Sequence, residues 1–320
     1  KYYKKKYGRP RNCRIISKAE VSNIPKGTFR IIITENNFIK KIAVNESIGS
    51  FRNDTPKTFL IGENEDNILI FDTNARVYKL PIWKIPVSDK NTNGTDVRLL
   101  IKNLTSNIHT VMYEPTVEKM SNMKRECVLV SVTHNGNIKA LELKDFLSVP
   151  PSGIFFSKLD PGDKIEGICI VPIDLDVIVY SKNKALRMHV IDIPLQKRIN
   201  KGMKSMSDGE VDGIAVIDDA TTDIITITES GKINRIDAVA LPVLGRNKAG
   251  SRVIKLNKTD SINAIYGLSA NEGIRICTVN QKTYDIALED IPKGSSASVG
   301  VKPFPMKGDS IIRCSKIMRQ

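Results

Sequence analysis

Lysine and arginine are the residues of this chain whose types and spacing could do chemistry. They alternate with apolar residues in Ile39-Lys40-Lys41-Ile42, Val77-Tyr78-Lys79-Leu80, Ile138-Lys139-Ala140-Leu141 and Ile233-Asn234-Arg235-Ile236, with Arg76, Arg187 and Lys232 close by. They recur in polar loops as Lys201 and Lys204, then as Arg246, Lys248, Arg252 and Lys255. Cations set along a surface neutralise phosphates, so these fourteen side chains are the expected contacts to a polyanion. For any one of them the alternative is an ordinary solvated surface charge. The net charge of +14, from 49 basic and 35 acidic residues, agrees with a polyanionic partner. Residues 1–14 contribute seven basic side chains and no acid, yet the rest of the chain is still basic.

Catalytic chemistry does not assemble. There is no GxxxxGK[ST] phosphate loop, no GxGxxG and no HExxH. His109, His134 and His189 lie far apart, and the acid pairs Asp218-Asp219 and Glu289-Asp290 sit in loop contexts. No catalytic residue and no metal site is expected. Cys13, Cys127, Cys169, Cys277 and Cys314 are scattered and form no Cys-x-x-Cys pair, which reads as reduced thiols in a cytosolic protein. Aromatic residues make up 6%, with the single tryptophan Trp83. That is a thin supply for stacking single-stranded bases, so duplex backbone is the better match. No run approaches 18 apolar residues, so no membrane span is expected. The chain starts without Met, which suggests a piece of something longer.

The elements that must position these cations are marked by a turn signature, Thr-x-Asn-x-x-(apolar). It occurs six times, at Thr34–Ile39, Asp72–Val77, Thr133–Ile138, Ser181–Leu186, Thr228–Ile233 and Thr278–Thr283. The third residue is Asn in five copies and Ser in one. Asn tolerates the left-handed backbone region, so the third position is expected to make the tight turn. An apolar strand enters each turn and an alternating strand leaves it, which predicts one buried and one solvent face. Four copies continue to an apolar-Pro pair, at Ile85-Pro86, Ile193-Pro194, Leu241-Pro242 and Ile291-Pro292, expected to mark strand exits. A polar loop follows, then a closing strand such as Arg252–Leu256. The copies are spaced by 38, 61, 48, 47 and 50 residues, and the surplus in the second gap is assigned to an insertion near residues 103–125. Such a period of short strands predicts a propeller-like array of six units with about four strands each.

The fifth unit, Thr228–Ile236 followed by Leu244–Leu256, resembles a blade of the C-terminal domain of type IIA topoisomerase A subunits, those of DNA gyrase and topoisomerase IV. Phe71–Leu80 with Trp83–Pro86 resembles the second blade, and Tyr3–Arg11 resembles the end of the helical region before that domain. The resemblance implies an all-β, six-bladed β-pinwheel over 29–320, preceded by a basic connector over 1–28. It implies a non-catalytic domain that binds and bends double-stranded DNA around a basic rim. Implied partners are the ATPase B subunit and the rest of the A subunit, without a membrane. No cofactor belongs to the domain, whereas ATP and Mg serve the full enzyme. The implied location is cytoplasmic: nucleoid-associated, or host cytoplasm for a viral enzyme. The family's glycine-rich basic box falls here on Ser50–Lys57, where Arg52 and Lys57 keep the charge and join the candidate contacts, and the glycines are absent. That departure favours bending over full wrapping. The alternative is a propeller scaffold for protein or acidic peptide.

Overall fold

A computed structural model describes residues 25–318 apart from 208, 281 and 307. The expected connector lies outside the described residues up to position 24, as does Cys13. In chain order the strands are β1 (Thr28–Thr34), β2 (Phe38–Ala43), β3 (Pro56–Glu63), β4 (Asn67–Asp72), β5 (Arg76–Pro81), β6 (Thr95–Asp96) and β7 (Ile108–Tyr113). They continue with β8 (Cys127–Thr133), β9 (Asn137–Glu142), β10 (Ile154–Phe155), β11 (Ile165–Pro172), β12 (Asp176–Tyr180), β13 (Ala185–His189) and β14 (Met203–Lys204). The last are β15 (Gly213–Ile217), β16 (Asp223–Thr228), β17 (Ile233–Asp237), β18 (Ile262–Leu268), β19 (Glu272–Thr278), β20 (Thr283–Ala287) and β21 (Ile311–Met318).

Each copy of the turn signature closes an antiparallel hairpin, from β1–β2 through β4–β5, β8–β9, β12–β13 and β16–β17 to β19–β20. A third strand pairs with the incoming strand of each hairpin: β3, β7, β11, β15, β18 and β21. The result is six blades, all β. The third strands of successive blades touch one another in order, so they line the axis of a disc and the outgoing strands face its perimeter.

The fourth strand of a blade comes from the next one. β6 follows β5 in the chain yet pairs with β2, β10 pairs with β5, and β14 pairs with β9. In blades 4 and 5 this lent strand shrinks to one bridge, Ala185 to Ser251 and Ile233 to Val301. The expected closing strand Arg252–Leu256 is therefore irregular; Val253 and Ile254 are instead buried as core of the blade 4–5 interface. The apolar-Pro pairs do lie at strand exits. The residue after each proline bridges, in parallel, to the outgoing strand of the preceding blade: Val87 to Lys41, Leu195 to Ala140, Val243 to Arg187 and Lys293 to Arg235. Proline, with no N–H to leave unpaired, fits the step before such a crossing. Gly250 in one crossing loop sits at φ +73°, where a Cβ would lie 2.8 Å from the Ala185 carbonyl oxygen.

Two sequence expectations change at the turns and the insertion. The left-handed residue is the fourth of the signature, as at Asn37, Ala75, Gly136 and Gly231, and not the third. The third residue offers its amide to an aspartate that precedes the inner strand: Asn36 to Asp54, Asn135 to Asp163, Ser230 to Asp260 and Asn280 to Asp309. Met112, assigned to the insertion, belongs to the regular inner strand β7; a short helix, α1 (Val117–Ser121), follows it.

Five hydrophobic cores fill the interfaces between successive blades, from Ile31, Ile33, Ile68 and Ile70 at the first to Ile225, Ile227, Ile274 and Ile276 at the last. Among the described residues no such core joins blade 6 to blade 1. That seam carries an ion pair, Arg313 to Glu35 at 2.7 Å, beside a cavity of about 400 Å³.

Candidate nucleic-acid interface

Stacking the sheets face to face covers both sides of the outgoing strands of blades 1 to 5, which overturns the expected solvent face there; β20 keeps Thr283 and Asp285 exposed. β2 is buried through Ile39, Lys40, Lys41 and Ile42. The lysines and arginines on these strands therefore had to find partners inside.

Lys41, Lys79, Arg187 and Arg235 occupy one register position, opposite Ile31, Leu69, Ile178 and Ile225. Arg235 Nε donates to Asp223 Oδ1 at 2.9 Å, and its Nη1 to the Leu288 carbonyl of blade 6 at 2.8 Å. Arg187 repeats this with Asp176 Oδ2 at 2.7 Å and the Ala238 carbonyl of blade 5 at 2.7 Å. Lys41 Nζ reaches Asn64 Oδ1 at 2.6 Å and the Ile82 carbonyl of blade 2 at 3.0 Å. Each of these carbonyls opens the 3-10 turn that ends the next blade's hairpin. Lys79 differs, meeting Glu114 Oε1 of its own blade at 2.6 Å.

One position earlier, the side chain clasps a crossing loop. Lys40 Nζ donates to the Lys90 carbonyl at 2.6 Å, and Lys139 Nζ to that of Asn200 at 2.6 Å. Asn234 Nδ2 reaches Ser295 O at 2.9 Å in the same way. Burial lowers the ammonium pKa of Lys40 and Lys41. It takes Lys139 down to about 8, with the Arg198 charge adding to the effect. Lys40, Lys41, Lys139, Arg187 and Arg235, expected on the rim, thus have their charged ends inside the disc as staples between blades.

The other candidates reach the surface to different degrees. Lys57 is half-buried, donates to the Ile108 carbonyl at 2.8 Å, and lies 3.4 Å from Glu35. Arg76 donates to the Ser152 carbonyl at 3.1 Å and lies over the Phe155 ring. Lys232 is mostly covered, 3.8 Å from Asp260. Arg246 donates to the Asp192 carbonyl at 3.3 Å. Arg52, Lys201, Lys204, Lys248, Arg252 and Lys255 are exposed. Of these, Lys201 is paired with Asp160 at 3.0 Å, and Lys204 donates to the Asn135 carbonyl at 2.7 Å.

Apart from Arg52 in loop 44–55, these exposed candidates belong to the crossing loops on the perimeter. Loop 194–206, over the edge of blade 3, holds Lys197, Arg198, Lys201 and Lys204 and no acid. Loop 242–256, over blade 4, holds Arg246, Lys248, Arg252 and Lys255 and no acid. Loop 292–306, over blade 5, adds Lys293 and Lys302, again without an acid. Backbone hydrogen bonds lace these loops together: Asn247 to Ser205 at 2.6 Å, Ser207 to Lys248 at 3.0 Å and Lys255 to Ser298 at 2.8 Å. An open groove of about 620 Å³ runs between Lys184, Arg252, Lys255 and Ser296, and another of about 450 Å³ beside Lys201 and Lys204. Sequence reasoning missed Lys197, Arg198, Lys293 and Lys302. The acid-free stretches 194–206, 242–256 and 292–306, which begin at three of the four apolar-Pro pairs, would have found them.

No catalytic arrangement joins the histidines. His109 is half-buried, and desolvation of its ring lowers its pKa to about 4. His134 lies 3.2 Å from Glu166, and His189 Nδ1 lies 2.5 Å from Asp176 Oδ1. Among the described residues no group of three or more His, Cys, Asp or Glu is placed to hold a metal ion, and no helix is long and apolar enough to cross a membrane.

Residues 128–172, 181–218 and 222–266 match the family described as DNA gyrase C-terminal domain, beta-propeller. The DNA gyrase A subunit of Metamycoplasma arthritidis is 22% identical over 315 residues, covering 92% of this chain and 34% of that protein. Its counterpart in Deinococcus deserti is 22% identical over 272 residues, covering 81% and 33%. The chain thus spans about one third of the length of the curated relatives it matches. Its fold is shared with a C-terminal domain of DNA topoisomerase IV, at TM-score 0.78, 15% identity and 92% and 94% coverage of the two chains. A DNA gyrase A C-terminal domain gives TM-score 0.70 and 18% identity, with coverage of 91% and 100%.

Proposed function

We propose that the chain is a C-terminal β-pinwheel domain of a type IIA topoisomerase A subunit, and that it binds duplex DNA along its perimeter and bends it. The observation that carries this reading is the run of acid-free crossing loops, 194–206, 242–256 and 292–306, laced along the outer edge. Their side chains present positive charge on a curved support without base-reading geometry, which suits sequence-tolerant contact to phosphates. Bending a 20–30 base-pair segment by 40–90° costs on the order of 1–6 kcal/mol, which added perimeter contacts would offset.

The stretch where the family's glycine-rich basic box falls supports a bend short of a full wrap. Loop 44–55 carries Arg52 against Glu46 and Asp54. In the intact enzyme the disc would present DNA for strand passage, beside the ATPase B subunit and the rest of the A subunit, in the cytoplasm. The ATP and Mg chemistry would lie outside this domain.

The test is a titration of a fluorescent 40-base-pair duplex at rising salt, with donor and acceptor dyes at its ends. With about six phosphates neutralised, affinity should fall by about three orders of magnitude between 50 and 200 mM salt. The end-to-end distance should shorten on binding. Weak binding at low salt, or binding indifferent to salt, would favour the protein-scaffold alternative and end the DNA reading.

A further inference from the structure

We infer that the duplex does not follow the perimeter evenly: its main phosphate contacts lie on the arc of blades 3 to 5, centred on the groove between loops 242–256 and 292–306. This rests on the DNA-binding reading above.

The charge is distributed that way. The two loops over blades 3 and 4 each carry four cations and no acid, and the loop over blade 5 carries two. The equivalent loop over blade 1, residues 86–98, carries Asp89 and Asp96 against Lys90 and Arg98, and Asp96 is already paired with Arg98 at 2.9 Å. Loop 44–55 brings two acids and one arginine. The field along the edge therefore turns from near neutral at blade 1 to strongly positive at blade 3.

The backbone supports the same arc. The hydrogen bonds from Asn247 to Ser205 and from Lys255 to Ser298 join the three basic loops into one continuous ledge. Blade 1 is built differently. Its loop 44–55 folds back on loop 86–98, with Arg52 N donating to Asn93 Oδ1 at 2.7 Å and Asn93 Nδ2 to the Arg52 carbonyl at 2.9 Å. It therefore pairs with no outgoing strand of blade 6, and β20 keeps an open outer edge among the described residues. The ledge ends there.

The groove at the arc's centre has cations ready to bind. Lys248, Arg252 and Lys255 are exposed and form no ion pair among the described residues. A phosphate entering beside Arg252 and Lys255 displaces no resident carboxylate. Ser296 lines the opposite wall and supplies a neutral donor.

The experiment compares two double variants of the protein by duplex anisotropy: Arg252→Ala with Lys255→Ala on the arc, and Arg52→Ala with Lys90→Ala on blade 1. All four side chains are exposed, so the thermal midpoint should be unchanged in both. The arc variant should lose tenfold or more in affinity and reduce the salt slope by about 2. The blade 1 variant should lose less than twofold. Equal losses, a larger loss from blade 1, or no loss from the arc variant would overturn the arc while leaving perimeter binding intact. Failure of the unaltered protein to bind the duplex would remove both.

Discussion

Replacing Arg235 by Met should unfold the disc more easily and leave its DNA affinity alone. Arg235 makes two hydrogen bonds to Asp223, at 2.9 and 3.2 Å, and two to the carbonyls of Leu288 and Ile291, at 2.8 and 3.2 Å. Asp223 is 2% exposed. Breaking a buried pair from one side costs about 3–5 kcal/mol, because the remaining charge is left without its partner. Here Thr222 still donates at 2.8 Å and Lys293 stands 3.5 Å away, so roughly 2–4 kcal/mol is expected. At about 2–4 °C per kcal/mol for large domains, the melting temperature should drop by roughly 4–16 °C. Duplex affinity, measured where the variant is still folded, should change less than twofold. Burial alone would raise the Asp223 pKa, but the hydrogen bonds from Arg235 and Thr222 outweigh it and hold the carboxyl below its usual range. Such a group contributes stability above its unfolded pKa of about 4 and loses it as pH falls further. The gap between wild type and variant should therefore narrow in acid. An unchanged melting temperature with a large loss of affinity would refute the reasoning and return Arg235 to the DNA surface.

Two further outcomes follow from the same architecture. Lys139 has its pKa lowered to about 8 in the fold, against 10.5 normally, so the folded chain releases that proton first; stability should rise between pH 8 and 10.5, and urea midpoints should show a smaller rise in Lys139→Met. Gly250→Ala should cost about 1–3 kcal/mol, since φ is positive and the new methyl meets the Ala185 carbonyl at 2.8 Å; Gly245→Ala, at φ +72° with nothing within 4 Å, should cost less in the same denaturation assay.

The hairpins could be read from the sequence because their information is local. Thr133-His134-Asn135-Gly136 and its counterparts fix a turn within a few residues, and apolar strands flank it. The crossing loops could not, because a strand's partner lies in another blade. Nothing within Met203-Lys204 reveals that it pairs with Asn137-Ile138. The same gap explains the misplaced cations. Alternating Lys and Ile in β2 looks like a solvated face until a second sheet covers it, and then Lys41 must end on a carbonyl. The aspartates Asp54, Asp163, Asp260 and Asp309 share one place, just before each inner strand. Three of them follow the third turn residue by 28 to 30 residues and Asp54 by 18, so a spacing search could have found three of the four.

Lent strands also set a timetable for the growing chain. Thr95 is made 56 residues after Ile39, and Ile154 is made 77 residues after Val77, yet each completes the earlier hairpin's sheet. At about 5–20 residues per second, a newly emerged blade waits roughly 3–15 s with its outer edge unpaired. During that interval the exposed ladder is open to pairing with a neighbouring nascent chain. Lys40, Lys41 and Lys139 lie on those waiting strands. Before they become staples their charges face water on an open edge, where lysine opposes such pairing. The residues that hold the finished disc together thus guard its strands while it is still being made.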